Sequence, residues 1–395
     1  MRRILFVDDD PDVLDGLRDS LRAQRRQWQM VFARGGPAAL EQIASTGPFD
    51  IVVSDMRMPE MDGAEFLVRV KQINPRATRI VLSGQADEAL FHRALTVAHR
   101  YLSKPLQVDA LRQVLEEACA LRVLLPVPEL QELLGNLDTS ATCSPSYWDV
   151  LRTLSAPGIG VVELSRVVER NSALASNVLE AASLPMFGLS QPVSSLDSAI
   201  GLLGIRRVRC IALAVHTYSS RLLESPIAGF SPAALCRDAL SVAALAMLLV
   251  PHAKLTSDAL TSAVLRNVGQ MVLALSARAQ FEQAQLVRLT TGRALHVIEK
   301  EVLGASHAEV GAFLLGTWGL PDAIVQAVAR HLDPAGPGDL SSVLHVVQVA
   351  AALAAEQSQP GQGDEHDQTG GPCALDALGS AIDVQRWRAL LTTTR

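Results

Sequence analysis

Short β-branched runs alternate with amphipathic helical patterns over the first 122 residues of the chain. The runs predict five strands and the patterns between them predict five helices. Strict alternation of strand and helix is typical of a doubly wound parallel sheet covered on both faces, so we expect an α/β domain over residues 1–122. The predicted strands are 3–7, 30–33, 50–54, 79–82 and 99–102, and the predicted helices are 13–23, 37–45, 64–73, 87–98 and 108–121.

The pattern changes after residue 122. Residues 123–145 contain prolines, a glycine and a Thr/Ser-rich stretch, and they predict a linker with one helix at 129–134. From 146 to 395, Ala, Leu and Val recur at helical spacing, which predicts an all-α second domain. Within it, 357–372 is of low complexity and predicts a flexible surface loop. The last pattern, 384–391, predicts a closing helix that docks Trp387 and Leu390.

Composition and charge narrow the classes of function. The net charge of -6 gives no general attraction to nucleic acid or anionic lipid. The one tight basic cluster beyond residue 100, at 206–209, is interpreted as a solvent-exposed helix face. The 5 cysteines lack a C-x-x-C spacing, which indicates reduced thiols. No apolar run reaches the roughly 20 residues of a membrane span. We expect a soluble, cytoplasmic protein with no membrane span and no nucleic-acid partner.

Candidate chemistry appears where the predicted strands end. Asp8 and Asp9 follow the first strand and Asp55 ends the third, and these strands are neighbours at the switch point of such a sheet. Clustered carboxylates repel one another unless a cation lies among them, and Mg²⁺ prefers such oxygen ligands. Ser83 ends the fourth strand and Lys104 follows the fifth. This set meets the needs of phosphoryl transfer to a carboxylate, with Asp55 as nucleophile.

Helix capping is the alternative explanation for the acidic run Asp8 to Asp10, because acidic side chains favour helix N-termini. Capping does not explain why Asp55, Ser83 and Lys104 also stand at strand ends. We therefore expect a capping or surface role for Asp10 alone.

The motifs VDDDP, SDMRMPEMDG, VLSG and YLSKP, in this order, resemble those of the response-regulator receiver family. The resemblance implies a flavodoxin-like, five-stranded receiver that a sensor histidine kinase phosphorylates on Asp55. It also implies the Mg²⁺ ligands. Asp9 and Asp55 would bind the metal directly, Asp8 would act mainly through water, and the backbone carbonyl of Arg57 would complete the protein ligands.

The same resemblance assigns the residues around the phosphoryl group. Lys104 would pair with that group, and its bond to Pro105 would be cis. Ser83 stands at the Ser/Thr position of the family. Tyr101 is the aromatic residue that would turn inward after phosphorylation.

Three stretches of the second domain, 192–215, 261–275 and 304–328, resemble the HDOD family, a helical output domain related to HD-type metal phosphohydrolases. Active HD sites need His and Asp ligands from several helices. Where such relatives carry adjacent His and Asp before a glycine, this chain has Arg266 and Asn267. Arginine cannot ligate a cation, and neutral Asn replaces a carboxylate poorly. Asp238 stands where the first His is expected, and Gln348 where the last Asp is expected.

Two histidines of that pattern, His307 and His331, remain. We interpret both as structural, each a buried imidazole bonded to a backbone carbonyl or a carboxylate near Trp318. Arg266, at the expected metal position, is expected to pair with an acidic neighbour such as Asp238. We therefore expect no catalytic site in the HDOD domain.

The leading hypothesis is a two-component response regulator. Its non-catalytic HDOD domain would act on an effector protein, such as one of cyclic-dinucleotide or motility signalling, and the receiver would dimerise or repack. Two alternatives stay open, an HD-type phosphohydrolase acting on cyclic dinucleotides and a nucleotide-binding sensor. A DNA-binding output is not expected, because no basic recognition helix is visible.

Overall fold

The computed structural model describes residues 1–83, 93–94, 97–137, 161–169, 172–182, 195–218, 223, 225–250, 253–333 and 340–357. The chain divides into two compact units. The first comprises Met1–Ala141 with Phe313–Leu320, and the second Thr142–Ala312 with Pro321–Arg395. Most of the predicted helix 87–98, nearly all of the predicted loop 357–372 and the closing helix 384–391 lie outside the described residues.

The first unit is built on five parallel strands in the order β2-β1-β3-β4-β5. This is the doubly wound, flavodoxin-like sheet predicted from the alternating pattern. The strands are β1 Arg2–Asp8, β2 Trp28–Arg34, β3 Ile51–Asp55, β4 Thr78–Ser83 and β5 Arg100–Ser103. In the register of the sheet Val7 lies beside Ser54, Asp55 beside Leu82 and Ser83 beside Ser103. The carboxyl ends of the four strands β1, β3, β4 and β5 therefore meet at one edge.

The described helices of this unit are α1 Pro11–Ser20, α2 Gly36–Thr46, α3 Gly63–Ile73, α4 Val108–Leu124 and α5 Pro128–Asn136. The first is shorter than predicted, since it ends at Ser20 and a 3₁₀ helix, Arg22–Arg26, follows. Asp10 is its N-cap, as expected, and its carboxylate accepts the backbone N–H of Asp12 at 2.9 Å.

Both faces of the sheet are buried, which explains the nearly continuous apolar strands. Successive side chains of a strand point to opposite faces. Leu5 and Val7 accordingly belong to one core cluster with Phe66, whereas Ile4 and Phe6 belong to the other with Leu111 and other α4 residues. Burying such side chains is worth about 1.5–3 kcal/mol each, so these two clusters fix the sheet on which the site is built.

The described part of the second unit is mainly helical, in agreement with the predicted all-α domain, and has one isolated β-bridge between Ile227 and Phe230. Its helices are α6 Val161–Glu169, α7 Ser172–Ala182, α8 Leu196–Thr217, α9 Pro232–Leu249, α10 Ala253–Leu265, α11 Val268–Ser276, α12 Arg278–Thr291, α13 Leu295–Leu303, α14 His307–Thr317, α15 Asp322–Arg330 and α16 Val343–Gln357. The last five residues of α14, Phe313–Thr317, are counted with the first unit.

Helices α11 and α14 approach each other at a pair of glycines. A Cβ atom on Gly269 would lie 1.9 Å from the carbonyl oxygen of His307, and one on Gly311 would lie 3.1 Å from the amide nitrogen of Gly269. Glycine is therefore required where the two backbones meet.

Helix α9 is the one helix of the described residues that is long and apolar enough to cross a membrane, judged by length and composition. In this structure 61% of the segment is buried. A core helix of a helical domain passes the same test.

Candidate functional site

The carboxylates named from the sequence lie at the carboxyl edge of the sheet. Asp8 is the last residue of β1 and Asp55 the last of β3, and these strands are hydrogen-bonded neighbours. Ser83 is the last residue of β4, and Lys104 directly follows β5. The local strand pattern thus positions all four residues at the carboxyl edge of the sheet, with Asp8 and Asp55 at the switch point between β1 and β3, where ligands of such folds bind.

Lys104 joins the two buried carboxylates. Its Nζ forms a close ion pair with Asp55 Oδ1 and lies 3.2 Å from Asp8 Oδ2. Each carboxylate uses its other oxygen on the backbone. Asp55 Oδ2 accepts the N–H of Arg57 at 2.7 Å, and Asp8 Oδ1 accepts the N–H of Asp10 at 3.0 Å. Both side chains are therefore held in place from two sides.

Burial and charge oppose each other in this pocket. Asp8 is 3% exposed, and burial raises the pKa of its carboxyl, although the Asp10 N–H and Lys104 act in the other direction. Burial alone would lower the pKa of Lys104, but its contacts with Asp55 and Asp8 outweigh burial and raise it. The ammonium group therefore stays charged at neutral pH and balances the carboxylates.

The pocket also suits the predicted Mg²⁺, although its ligands are not gathered around a common point here. Asp8 and Asp55 offer side-by-side buried oxygens, the hard donors that Mg²⁺ prefers. Asp9 is half-buried, and its recorded contact is through its backbone carbonyl, which accepts from Arg34 Nε at 3.1 Å. Among the residues that the structure describes, no three His, Cys, Asp or Glu side chains form a metal-binding group. A divalent cation would share the carboxylates with Lys104.

Gly63 is a site residue that sequence reasoning missed. It is the first residue of α3, and its N–H donates to the carbonyl of Met56 at 2.9 Å. A Cβ here would lie 2.1 Å from the carbonyl oxygen of Asp55, so the loop can fold back on Asp55 only with glycine at this position. The signal was visible as the glycine that ends the SDMRMPEMDG motif.

The predicted switch residues occupy the two strands beside this pocket. Tyr101 on β5 is half-buried and packs against the core cluster that contains Val81. Burial raises the pKa of its phenol well above the ordinary value, so the hydroxyl stays protonated. Ser83 is half-buried at the end of β4. The peptide bond between Lys104 and Pro105 is cis, as the resemblance implied.

In the second unit, the residues at the expected metal position form an ion pair instead. Arg266, which directly follows α10, is 4% exposed and pairs closely with Asp238 Oδ2 on α9. Asn267 Nδ2 donates to the same oxygen at 3.2 Å. The ion pair predicted from the sequence is therefore present, and the guanidinium group contacts the carboxylate directly.

His307 is tied to a carboxylate that sequence reasoning missed. Glu299 Oε2 accepts the backbone N–H of His307 at 2.8 Å and lies 2.6 Å from its Nδ1, and both side chains are fully buried. The pair joins the start of α14 to α13. Glu299 lies eight residues before His307, a spacing that gave no motif to read.

His331 and Gln348 bind the backbone at the end of α15. His331 Nδ1 donates to the carbonyl of Val328 at 2.7 Å, and Gln348 Nε2 donates to the carbonyls of Arg330 and Asp333, each at 3.1 Å. Burial lowers the pKa of His331 well below its ordinary value, with the charges of His307 and Arg266 adding to the effect. These contacts satisfy carbonyls that a helix end leaves open. The His307 and His331 rings lie 5.9 Å apart.

Comparisons with known proteins agree with this architecture. The family model of the response regulator receiver domain matches residues 4–116, and that of the HDOD domain matches residues 141–334. The fold and its carboxylate pocket thus define the first unit as a response regulator receiver domain. The chain therefore joins a response regulator receiver domain to an HDOD domain.

Curated relatives resemble the receiver part. The transcriptional regulatory protein ZraR of Escherichia coli K12 is 37% identical over 118 residues, which cover 30% of this chain and 26% of the relative. The regulatory protein AtoC of the same organism is 30% identical over 159 residues, which cover 38% of this chain and 33% of the relative. The chain thus spans between a quarter and a third of the length of these two relatives.

Solved structures resemble each part separately. The signal receiver domain of an HD domain-containing protein from Pseudomonas fluorescens Pf-5 is 36% identical, with a TM-score of 0.28, and covers 30% of this chain and 98% of its own. An HDOD domain protein from Geobacter sulfurreducens is 18% identical, with a TM-score of 0.49, and covers 67% of this chain and 94% of its own.

Proposed function

We propose that a sensor histidine kinase phosphorylates Asp55 and that the HDOD domain passes this signal to an effector protein without catalysing a reaction. The observation that carries the proposal is the contact of one ammonium group, that of Lys104, with the carboxylates of Asp55 and Asp8. The geometry supports a site that accepts a phosphoryl group, because the buried carboxylate of Asp55 lies at a strand end beside the positive charge of Lys104.

The chemistry follows from the contacts of Asp55. A carboxylate oxygen of Asp55 attacks the phosphorus of a phosphohistidine, the P–N bond breaks and its electron pair returns to the imidazole. The Arg57 N–H donates to one Asp55 oxygen at 2.7 Å. The ammonium group of Lys104, which pairs with the other oxygen, can then pair with the oxygens of the incoming phosphoryl group. Mg²⁺ bound by Asp8, Asp9, Asp55 and the Arg57 carbonyl would neutralise charge that develops on the phosphoryl group.

The helical domain supports an output without catalysis. Arg266 directs a guanidinium, which cannot ligate a cation, at Asp238, and Asn267 donates to the same oxygen. His307 Nδ1 contacts the carboxylate of Glu299, and His331 Nδ1 donates to the backbone carbonyl of Val328. Each position of the expected metal site is thus engaged in a contact between helices or at a helix end.

Phosphorylation is tested with the full chain, acetyl phosphate and Mg²⁺. Asp55→Asn should abolish the phosphorylated band on a phosphate-affinity gel, whereas Asp109→Asn should leave it unchanged, because the Asp109 side chain is 88% exposed on α4. Phosphorylated Asp55→Asn protein would show that another residue is the acceptor.

The output is tested separately. The full chain, with Mn²⁺ added, should release no product from a panel of cyclic dinucleotides. Metal-dependent hydrolysis that Asp238→Asn removes would identify the HDOD domain as an enzyme. A pull-down that compares phosphorylated with unphosphorylated protein then identifies the effector, and the elution volume of the two forms reports dimerisation of the receiver.

A further inference from the structure

Two buried arginines lie away from the phosphorylation pocket, near the amino-terminal edge of the sheet. Arg79 on β4 is 1% exposed and Arg122 on α4 is 6% exposed. Burial lowers the pKa of Arg79 to about 10. A buried guanidinium is costly unless hydrogen bonds surround it, so the groups that accept from these arginines indicate what they are for.

Arg79 donates mainly to backbone carbonyls. Its Nε lies 2.6 Å from the carbonyl of Val97, and Nη1 lies 3.1 Å from that of Pro75. Nη2 donates to the carbonyl of Gly135 at 3.1 Å, and this residue belongs to α5, in the region expected to be a linker. The side chain thereby joins a strand of the sheet to a helix 56 residues further along the chain.

The receiver supplies positive charge to the end of α5. Carbonyls at a helix C-terminus lack partners within the helix and favour cations, yet α5 has no basic residue in its last turn. Arg79 reaches the carbonyl of Gly135, and Lys71 Nζ on α3 reaches that of Leu137 at 3.2 Å. Two cations of the receiver thus replace the basic residues that α5 lacks.

Arg122 holds the middle of the same helix. Its Nη1 donates to Gln131 Oε1 at 3.2 Å and lies 3.1 Å from Asp50 Oδ1, beside the start of β3. Gln131 Nε2 in turn donates to the carbonyl of Leu125 at 2.7 Å. Because Arg122 is 6% exposed and Gln131 is 5% exposed, the hydrogen bond between these two side chains is shielded from water.

Close packing completes the contact. Leu130 and Leu134 of α5 are buried, and a Cβ on Gly135 would lie 1.9 Å from the carbonyl oxygen of Pro75. The backbones meet at a distance that only glycine permits, so α5 is fitted to the receiver.

We propose that α5 is a fixed structural part of the receiver, clamped by Arg79, Arg122 and Lys71, so that the receiver extends at least to Leu137. The clamp sits at one end of β4, whose other end carries Ser83. The clamp therefore attaches α5 to β4, the strand that ends at the phosphorylation pocket. The proposed limit differs from the predicted limit at residue 122.

Hydrogen exchange of the full chain tests the clamp, with Gly135→Ala as the perturbation. Amides of residues 130–137 should exchange at least about tenfold faster in this variant, because the added methyl group cannot coexist with the Pro75 carbonyl. Amides of β1 and β3 should keep their protection. Gly16→Ala is the matched control, since Gly16 lies in α1 and a Cβ there meets nothing within 4 Å.

Two outcomes overturn the proposal. One is exchange of 130–137 in the unmodified protein as fast as in an unfolded peptide, and the other is exchange in Gly135→Ala that matches the control. Should Gly135→Ala fail to fold, Lys71→Met removes one of the carbonyl contacts at a half-buried position. It should speed exchange at the end of α5 alone, and no effect there would count against the clamp. None of these results depends on phosphorylation of Asp55.

Discussion

Replacing Asp238 with asparagine tests whether the ion pair at the expected metal position stabilises the helical domain. Asp238 Oδ2 accepts from Arg266 and also from Asn267. Asparagine has the same shape but no charge, and its amide oxygen can still accept from both donors, so the substitution mainly removes the negative charge. The guanidinium of Arg266 would remain buried, with its counter-charge removed.

The exposure of the two side chains sets the magnitude. Counting side-chain atoms alone, Arg266 is 5% exposed and Asp238 is 30% exposed. Removing one partner from a fully buried pair costs about 3–5 kcal/mol, and an exposed pair contributes about 0–1 kcal/mol. Since water reaches the carboxylate but not the guanidinium, we expect Asp238→Asn to lower the free energy of unfolding by about 2–3 kcal/mol.

A double-mutant cycle with Arg266→Met separates the pair from the rest of the site. Urea unfolding of each variant, followed by far-ultraviolet circular dichroism, gives the coupling energy between the two side chains, which we expect at about 1–3 kcal/mol. Glu282→Gln is the control, because the Arg278–Glu282 pair lies on the surface of the same unit, and it should cost less than about 0.5 kcal/mol. A coupling energy no larger than that of the control would refute the reasoning.

Three further predictions concern packing, pH and metal. Gly269→Ala should lower the thermal midpoint of the helical domain by an amount equivalent to more than about 2 kcal/mol, because the added Cβ would meet the carbonyl of His307. Gly201→Ala is the control and should leave the midpoint unchanged, because a Cβ at Gly201 has open space around it. Equal midpoints in the two variants would disprove the close contact. The depressed pKa of His331 favours neutral imidazole in the folded state, so the contribution of His331 to the free energy of unfolding should be fully present above pH 6.5 and should fall below it by up to about 1.4 kcal/mol per pH unit. Unfolding measured at pH 7.5 and 5.5 should show a smaller dependence of this free energy on pH in His331→Asn. An unchanged dependence would exclude His331 as its source. Adding Mg²⁺ should raise the thermal midpoint of the receiver, and Asp9→Asn should remove most of that rise while leaving the metal-free midpoint in place; a full rise in the variant would exclude Asp9 as a ligand.

The sequence by itself determined the class of each domain and most of the candidate site. Alternation of strand and helix patterns depends on neighbouring residues, so the five strands were readable within a few positions. Asp8, Asp55, Ser83 and Lys104 were found because strand ends of a parallel sheet meet at one edge. The replacement of metal ligands at Arg266 could also be read directly, because a guanidinium cannot bind a cation in any fold.

Only the tertiary structure decided which groups touch. Glu299 and His307, or Arg79 and Gly135, give no sequence signal of their contact, since each depends on how two helices, or a strand and a helix, pack. The same holds for Gly63, whose need for glycine arises from the carbonyl of Asp55 eight residues earlier. Patterns along the chain report which side of an element is buried, whereas the distance between two backbones depends on every side chain packed between them.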